Sequence, residues 1–280
     1  MPSADQLLKT ITHWAKNKED IRLLLLLGSR ANKRKIDQVS DIDLALFSRG
    51  PQQYFSHSEW FQTFDSVWLS IPRDEGDHFS WKVIYEGGLM VDFAIYPEEA
   101  LGSMREVLPP FLQPGYKILL DRDRLARSLP KPSKKQVPPE SPTAETFHTS
   151  VEKFWFNAYH VAKYLLRDDL WRAKYYDWEL KQHLLQMMGW HAVIVRRQED
   201  FSIYEGKYLK EWLDLGTYTD LMTAFGRFYP ADSWRALEYS IKIYAKLAAE
   251  VADTLQIDAR EGLKDKFIGL IQDLKANQNQ

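Results

Sequence analysis

The sequence predicts an α+β fold in two parts, an N-terminal mixed β-sheet with flanking helices and a C-terminal α-helical bundle. Short apolar runs separated by turn residues fill the first part and are typical of strands. In the second part, apolar residues recur at the spacing of a helix. Between them lies PKPSKKQVPPESP, residues 130–142, whose five prolines predict a stiff, exposed connector. We therefore expect domains at residues 1–130 and 144–280, joined by a proline-rich linker at 131–143.

The N-terminal part is expected to begin with a helix and continue as strands. Ser3 has the side chain of an N-cap for an amphipathic helix that carries Leu7 and Trp14 on its apolar side. Apolar runs predict strands at residues 21–27, 41–47, 67–71, 82–85, 89–96 and 117–120. Glu86-Gly87-Gly88 lies between two of these runs and predicts a tight hairpin turn.

The C-terminal part is predicted to be a bundle of amphipathic helices. An apolar stripe runs from Phe147 to Leu165, and helical periodicity continues over residues 170–197, 209–213, 218–228, 233–255 and 262–274. Either Asp232 or Ser233 could start the helix over 233–255, because Pro230 separates that helix from its predecessor.

Composition excludes several classes of function. The chain has 280 residues and a formal net charge of −2, so it lacks the overall basic field expected for nucleic-acid binding. It contains no cysteine, which excludes disulfides, cysteine nucleophiles and thiolate zinc sites. The longest apolar run, residues 23–27, is too short to span a membrane, and the N-terminus has no signal-peptide pattern. We expect a cytoplasmic protein without a membrane partner.

The stretch LLLLLGSRANKRKIDQVSDIDLALF, residues 23–47, carries the strongest functional signal. An apolar run ends at Gly28 and Ser29, and Asp41 and Asp43 open the next. Alternate side chains of a strand share a face, so the two carboxylates should point the same way. Together they can bind Mg²⁺ and leave positions for phosphate oxygens. A glycine that lets the backbone approach phosphates and a serine hydroxyl complete a stretch suited to a nucleoside triphosphate.

This combination resembles the Gly-Ser … Asp-x-Asp signature of the nucleotidyltransferase superfamily. The resemblance implies attack on a nucleotide α-phosphate with loss of pyrophosphate, and it leaves the acceptor open. A third carboxylate should come from a neighbouring strand, and Asp92 in LMVDFAIYP is the candidate. Alternation places Met90 and Ala94 on its face of the strand, with Val91 and Phe93 opposite. The alternative is a carboxylate that only accepts hydrogen bonds near a strand end.

Further segments narrow the resemblance to one family. YEGGLMVDFAIYP, YKILLDRDRL and FHTSVEKFWFNAYHVAKYLLRDDLWRAKYYDWELKQHLLQMMGWH are similar to segments of the aminoglycoside 6-adenylyltransferases, the streptomycin-modifying family. GKYLKEWL at residues 206–213 resembles that family's GK-x-L-K-x-x-L. The resemblance runs from about Leu7 to about Leu255 and implies a nucleotidyltransferase sheet followed by a bundle, with the active site in the cleft between them. The loop ANKRKIDQVS departs from the family pattern, because it lacks glycine and carries a basic cluster at residues 33–35.

The resemblance also implies cofactors and catalytic residues. Asp41, Asp43 and Asp92 would hold two Mg²⁺ ions, with ATP as the co-substrate. Asp92 could take the proton of the acceptor hydroxyl, or a separate carboxylate such as Glu86 could do so.

Phosphate binding is implied at two places. Ser29, with backbone amides near Gly28 and Arg30, would bind the terminal phosphates. A cation from the bundle should neutralise the departing pyrophosphate; Lys174 is the first candidate and Lys163 the second. A solvated helix face is the alternative for either lysine.

The implied reaction moves AMP from ATP to a hydroxyl of an aminoglycoside such as streptomycin, an antibiotic-resistance activity. A polycationic acceptor needs an acidic pocket with aromatic walls, and the candidates are Glu152, Asp168, Asp169, Asp177 and Glu179, near Trp155, Trp171, Tyr176 and Trp178. Helix caps, ion pairs and core packing are the alternatives for these residues. The acceptor could instead be another small molecule such as a lincosamide, or a protein, as in toxin–antitoxin systems. The resemblance is compatible with a monomer or a weak dimer.

Overall fold

The computed structural model describes residues 3–277 and divides the chain into two compact units, residues 1–136 and 137–280. We call these the first and the second unit. The point of division falls inside a segment, residues 129–143, that forms neither helix nor strand. The predicted fold class, a mixed sheet with flanking helices followed by a helical bundle, is confirmed.

Within the described residues, the first unit is built on a six-stranded sheet in the order β3-β4-β5-β2-β1-β6. Its elements are α1 (Ala4–Lys16), β1 (Ile21–Leu26), α2 (Gly28–Asn32), β2 (Ile42–Ser48), α3 (Pro51–Ser56), α4 (Glu59–Gln62), β3 (Val67–Asp74), β4 (Phe79–Tyr85), β5 (Met90–Pro97), α5 (Leu101–Glu106) and β6 (Lys117–Asp121). Strands β2 and β5 pair in parallel, and the other neighbours pair antiparallel. All the predicted strands are confirmed, with ends shifted by a few residues.

The two faces of this sheet have different partners. Ile42 and Phe93 lie on one face, in a buried core that also holds residues of α1, α3 and α4. Phe47 and Tyr96 lie on the other face and pack in a second core with residues of α5. This second face also carries the side chains of residues 43 and 92, by the alternation of strand side chains. We call it the site face.

Local signals in the first unit act as predicted. The Ser3 hydroxyl accepts a hydrogen bond from the amide of Gln6, whose side chain bonds back to the Ser3 amide, a capping box that starts α1. Gly87 and Gly88 have φ values of 91° and 84°, which a turn of this kind requires and glycine adopts without strain. The predicted hairpin therefore joins β4 to β5 and fixes their register.

The second unit consists of helices around one apolar core. They are α6 (Ala144–Leu166), α7 (Leu170–Ile194), α8 (Leu209–Trp212), α9 (Leu215–Ala224), α10 (Pro230–Leu255) and α11 (Glu261–Asn277). Phe154 of α6 stacks on Tyr244 of α10, with ring centroids 3.6 Å apart. The predicted start of α10 at Asp232 or Ser233 is wrong. The helix begins at Pro230, since proline has no amide hydrogen to leave unsatisfied at the first helical position.

No helix within residues 3–277 is long and apolar enough to cross a bilayer.

Candidate active site

Two carboxylates meet on the site face because of the parallel pairing of β2 with β5. Asp43 and Asp92 are direct partners in that register, so their side chains lie next to each other on the same face. Both residues are half-buried. Asp41 lies just before β2, two residues from Asp43. The sheet therefore places two of the three acidic residues singled out in the sequence side by side, and the third directly precedes the strand.

The position of Asp41 is fixed by Arg30 of α2. The Arg30 guanidinium donates from Nε to the carbonyl oxygens of Ser40 and Asp41 at 3.2 and 3.0 Å. Its Nη2 donates to Ser40 again, at 2.7 Å. Arg30 thus holds the backbone immediately before the carboxylates, a role for its side chain that the sequence pattern did not predict.

Gly28 lies directly against Asp43. Its φ of +64° is left-handed, and a Cβ on this residue would come within 1.8 Å of Asp43 Oδ2. The amide of Leu27 also donates to the Asp43 carbonyl at 2.8 Å. The end of β1 and the start of β2 are therefore locked together here. Ser29 follows at the start of α2 and is half-buried.

Asp92 has a cationic neighbour on the next strand. Lys82 of β4 is its register partner, and Lys82 Nζ lies 3.5 Å from Asp92 Oδ2. Burial raises the pKa of Asp92 above its ordinary value, and the charge of Lys82 offsets part of this effect. The charges of Arg73 and His78 act in the same direction as Lys82.

Lys82 is the residue of this site that sequence reasoning missed. The predicted hairpin already contained the information that pairs Lys82 with Asp92. With Glu86-Gly87-Gly88 as the turn, counting back along β4 places residue 82 opposite residue 92.

Metal binding by protein side chains alone has little support. Within residues 3–277, no three or more His, Asp or Glu side chains are gathered closely enough to hold a metal ion. Mg²⁺ in nucleotide enzymes, however, commonly takes only one or two carboxylates and completes its shell with phosphate oxygens and water. The adjacent carboxylates of Asp43 and Asp92 provide this type of donor set.

The lysines proposed to contact pyrophosphate lie in the second unit. Lys174 of α7 is half-buried, and its Nζ donates to the carbonyl oxygen of Gly226 at 2.9 Å. Burial lowers the pKa of Lys174, against the charges of Asp177 and Asp232. Lys163 of α6 lies over the rings of Tyr159 and Tyr164, 5.8 and 5.6 Å from their centroids.

Several acids proposed for an acceptor pocket have structural partners. Glu152 forms an ion pair with Arg260 at 3.3 Å. Asp169 is the N-cap of α7. Asp177 accepts a 2.5 Å hydrogen bond from Lys181, one turn further along the same helix. Helix capping and ion pairing, the alternatives to an acceptor pocket, therefore account for Glu152, Asp169 and Asp177.

The aromatic residues proposed to line that pocket differ in their exposure to solvent. Trp155 is buried in the core of the second unit, which accounts for it structurally. Trp171 and Trp178 of α7 are 75% and 59% exposed and are available to contact a ligand. Tyr176 is half-buried and stacks on His160.

Comparison with known proteins identifies the family. The model of the streptomycin adenylyltransferase family matches residues 1–274. The chain belongs to the streptomycin adenylyltransferase family. It is a nucleotidyltransferase, and the resemblance stated from the sequence is confirmed. The match to the streptomycin adenylyltransferase family extends over both units.

Similar proteins of this family are aminoglycoside 6-adenylyltransferases from three bacteria. The protein from Bacillus subtilis strain 168 is 25% identical over 270 residues, 91% of this chain and 92% of the relative. The protein from Campylobacter jejuni is 23% identical over 278 residues, 96% and 94% of the two chains. The protein from Staphylococcus aureus is 24% identical over 237 residues, 80% and 82% of the two chains.

Two solved structures align with most of this chain. A crystal structure of an aminoglycoside 6-adenyltransferase from Bacillus subtilis aligns with 96% of this chain and 98% of its own, at 22% identity and a TM-score of 0.44. The crystal structure of a nucleotidyltransferase-like protein from Exiguobacterium sibiricum aligns with 90% and 78% of the two chains, at 14% identity and a TM-score of 0.36.

Proposed function

We propose that this protein is a Mg²⁺-dependent enzyme that moves AMP from ATP to a hydroxyl of an aminoglycoside such as streptomycin and releases pyrophosphate. The observation that carries the proposal is the parallel pairing of β2 with β5, which aligns Asp43 with Asp92 beside Gly28. The relatives named as aminoglycoside 6-adenylyltransferases, matched over most of their length, support the choice of acceptor.

Asp41, Asp43 and Asp92 would hold the metal, because carboxylate oxygens are the hard donors that Mg²⁺ prefers. Mg²⁺ bound there would neutralise negative charge on the phosphate oxygens as it develops. Arg30 holds the backbone that carries Asp41, and Gly28 leaves room for the Asp43 carboxylate. These residues thus contribute by fixing the carboxylates, which is the main task of a protein in phosphoryl chemistry.

Transfer to a hydroxyl also requires a proton acceptor. Asp92 is our candidate, because a bound metal would lower the pKa of the acceptor hydroxyl and the Asp92 carboxylate lies beside Asp43 in the same site. Ser29, with the backbone amides near Gly28 and Arg30, would bind the terminal phosphates, and Lys174 would neutralise the pyrophosphate.

The proposal is tested by mass analysis of small-molecule products. The protein would be incubated with Mg²⁺, each of the four nucleoside triphosphates, and a panel of streptomycin, other aminoglycosides and lincosamides. We expect an AMP adduct on streptomycin from ATP that disappears on removal of Mg²⁺ with EDTA. Asp43→Asn should reduce the rate at least about a hundredfold by weakening stabilisation of the transition state.

Asp5→Asn is the matched control, since Asp5 is an exposed acid of α1 outside the site, and it should transfer AMP normally. An adduct on a lincosamide alone would show that the acceptor is a lincosamide and not an aminoglycoside, and the proposed nucleotidyl transfer would stand. An adduct that forms equally well in EDTA would contradict the role given to Mg²⁺.

A further inference from the structure

Three charged side chains lie in one row across the site face. The register aligns Asp43 of β2 with Asp92 of β5, and Asp92 with Lys82 of β4. Two carboxylates are thus followed directly by an ammonium group, whose Nζ lies 3.5 Å from Asp92 Oδ2. The proposed mechanism assigns no task to this lysine.

We propose that Lys82 is the counter-cation of Asp92 in the metal-free enzyme and that it gives way when a divalent cation binds. This inference rests on the proposed function, because it takes Asp92 as a metal ligand. Lys82 then acts through Asp92, as a positioning residue.

The environment of Asp92 explains why a counter-cation is needed. The carboxylate lies among strands, with only 28% of its side chain exposed, and burial disfavours its charged form. An anion in such a place requires a cation close by, and the Lys82 ammonium, 3.5 Å from Asp92 Oδ2, is that cation before the metal arrives.

The properties of lysine explain how the Lys82 ammonium can move away from the Asp92 carboxylate. Its charge is compact and sits on a flexible four-carbon stem, and 34% of the Lys82 side chain is exposed. The ammonium can therefore swing into solvent at small cost, which a buried, bidentate arginine could not do. Since ammonium and metal compete for one carboxylate, the metal alone should bind weakly. A nucleotide that brings its own negative charge should favour the exchange.

A purely structural cross-strand ion pair is the alternative, and the two roles differ in their dependence on metal. Binding of Mn²⁺ to the full-length protein, without nucleotide, would be followed by electron paramagnetic resonance of the free ion. Lys82→Met should bind Mn²⁺ about tenfold more tightly, because a competing charge close to the metal has been removed. Lys82→Arg, which keeps the charge, should bind no more tightly than the wild type. Lys9→Met is the control, since Lys9 is an exposed lysine of α1.

Thermal unfolding gives a second readout that does not depend on activity. In EDTA, Lys82→Met should lower Tm by about 3 °C, because Asp92 loses its partner. Saturating Mn²⁺ should remove this difference, since the metal then neutralises the carboxylate. In an Asp92→Asn background, Lys82→Met should leave Tm in EDTA unchanged, because the carboxylate that Lys82 pairs with is gone.

The outcomes separate the inference from the proposed function. Equal Mn²⁺ affinities for wild type and Lys82→Met, with the same loss of Tm in EDTA and in Mn²⁺, would overturn the inference and leave the proposed function intact. If the wild type bound no Mn²⁺ even with ATP present, the metal site itself would fail and the inference with it.

Discussion

Gly28 is a residue whose identity is set by its neighbour. Its φ is +64°, and a Cβ on it would lie 1.8 Å from Asp43 Oδ2, which leaves no room for a side chain. We predict that Gly28→Ala displaces the Asp43 carboxylate and abolishes AMP transfer, as measured by product formation. Gly76→Ala is the matched control, because Gly76 has a φ of +88° but nothing within 4 Å of a Cβ. Normal AMP transfer by Gly28→Ala would contradict the importance of this contact with Asp43.

Arg30 acts on the site through the backbone. Its guanidinium bonds to the carbonyl oxygens of both Ser40 and Asp41, which a lysine ammonium cannot reproduce in the same geometry. We predict that Arg30→Lys lowers kcat about tenfold, the equivalent of one such hydrogen bond to a charged group. The KM for ATP should change less, because the loss lies in the placement of Asp41. A change in KM alone would instead indicate that Arg30 contacts the nucleotide.

At the scale of single residues, local signals were predictable and long-range partners were not. The carboxylates Asp41 and Asp43 stand out because they open an apolar strand. The contact of Gly28 with Asp43 and the bonds of Arg30 depend on how the loop over residues 33–40 folds back, and no local pattern encodes that path. Whether Ser29 and Lys174 bind phosphate stays a prediction.

At the scale of elements, α7 contains a buried ion pair. Replacing its members distinguishes a structural role of Asp177 from a role in binding the acceptor. Lys181 is 4% exposed and pairs with Asp177, 15% exposed, at 2.5 Å. We predict that Asp177→Asn destabilises the protein by about 3 kcal/mol, since it leaves a buried ammonium unpaired. The double variant Asp177→Leu/Lys181→Met should recover most of this loss in urea unfolding. A weaker affinity for streptomycin at unchanged stability would instead place Asp177 in the acceptor pocket.

The same pair has a pH signature. Burial lowers the pKa of Lys181, so the folded protein loses this proton at a lower pH than the unfolded chain does. Between the two pKa values the unfolded chain binds more protons, and stability therefore rises with pH through that window. We predict that this rise, measured by urea unfolding at alkaline pH, is missing in Lys181→Met. A rise of the same size in both proteins would exclude Lys181 as its source.

The presence of each helix and strand was predictable, because apolar runs and helical stripes are patterns within a short stretch of sequence. The strands come from short runs such as residues 21–26, and the long helices from stripes such as that of α6. The pairing of strands that are distant in sequence could not be predicted from such patterns, because each pattern describes only one segment. The parallel register of β2 with β5, which aligns Asp43 with Asp92, follows from the folding of the intervening hairpin and helices. The start of α10 was missed because Pro230 does not separate two helices but is itself the first helical residue.

At the scale of the whole molecule, each unit has its own apolar cores. The cores of the sheet draw on residues of the first unit, and the core of the bundle on residues of the second. A unit with a core of its own can fold alone. We predict that fragments 1–136 and 137–280 each unfold cooperatively in circular dichroism, the second with a strongly helical spectrum. A gradual melt of either fragment would contradict this.

The separate fragments then divide the proposed function between the units. Asp41, Asp43 and Asp92 belong to the first unit, so fragment 1–136 should bind ATP with Mg²⁺ in calorimetry, and its Asp43→Asn variant should bind more weakly. Lys174 and the exposed tryptophans of α7 belong to the second unit. Fragment 1–136 alone should therefore transfer no AMP to streptomycin, and only the intact chain should do so. Transfer by the first fragment alone would show that the second unit is not needed for chemistry, and would remove Lys174 from the proposed mechanism.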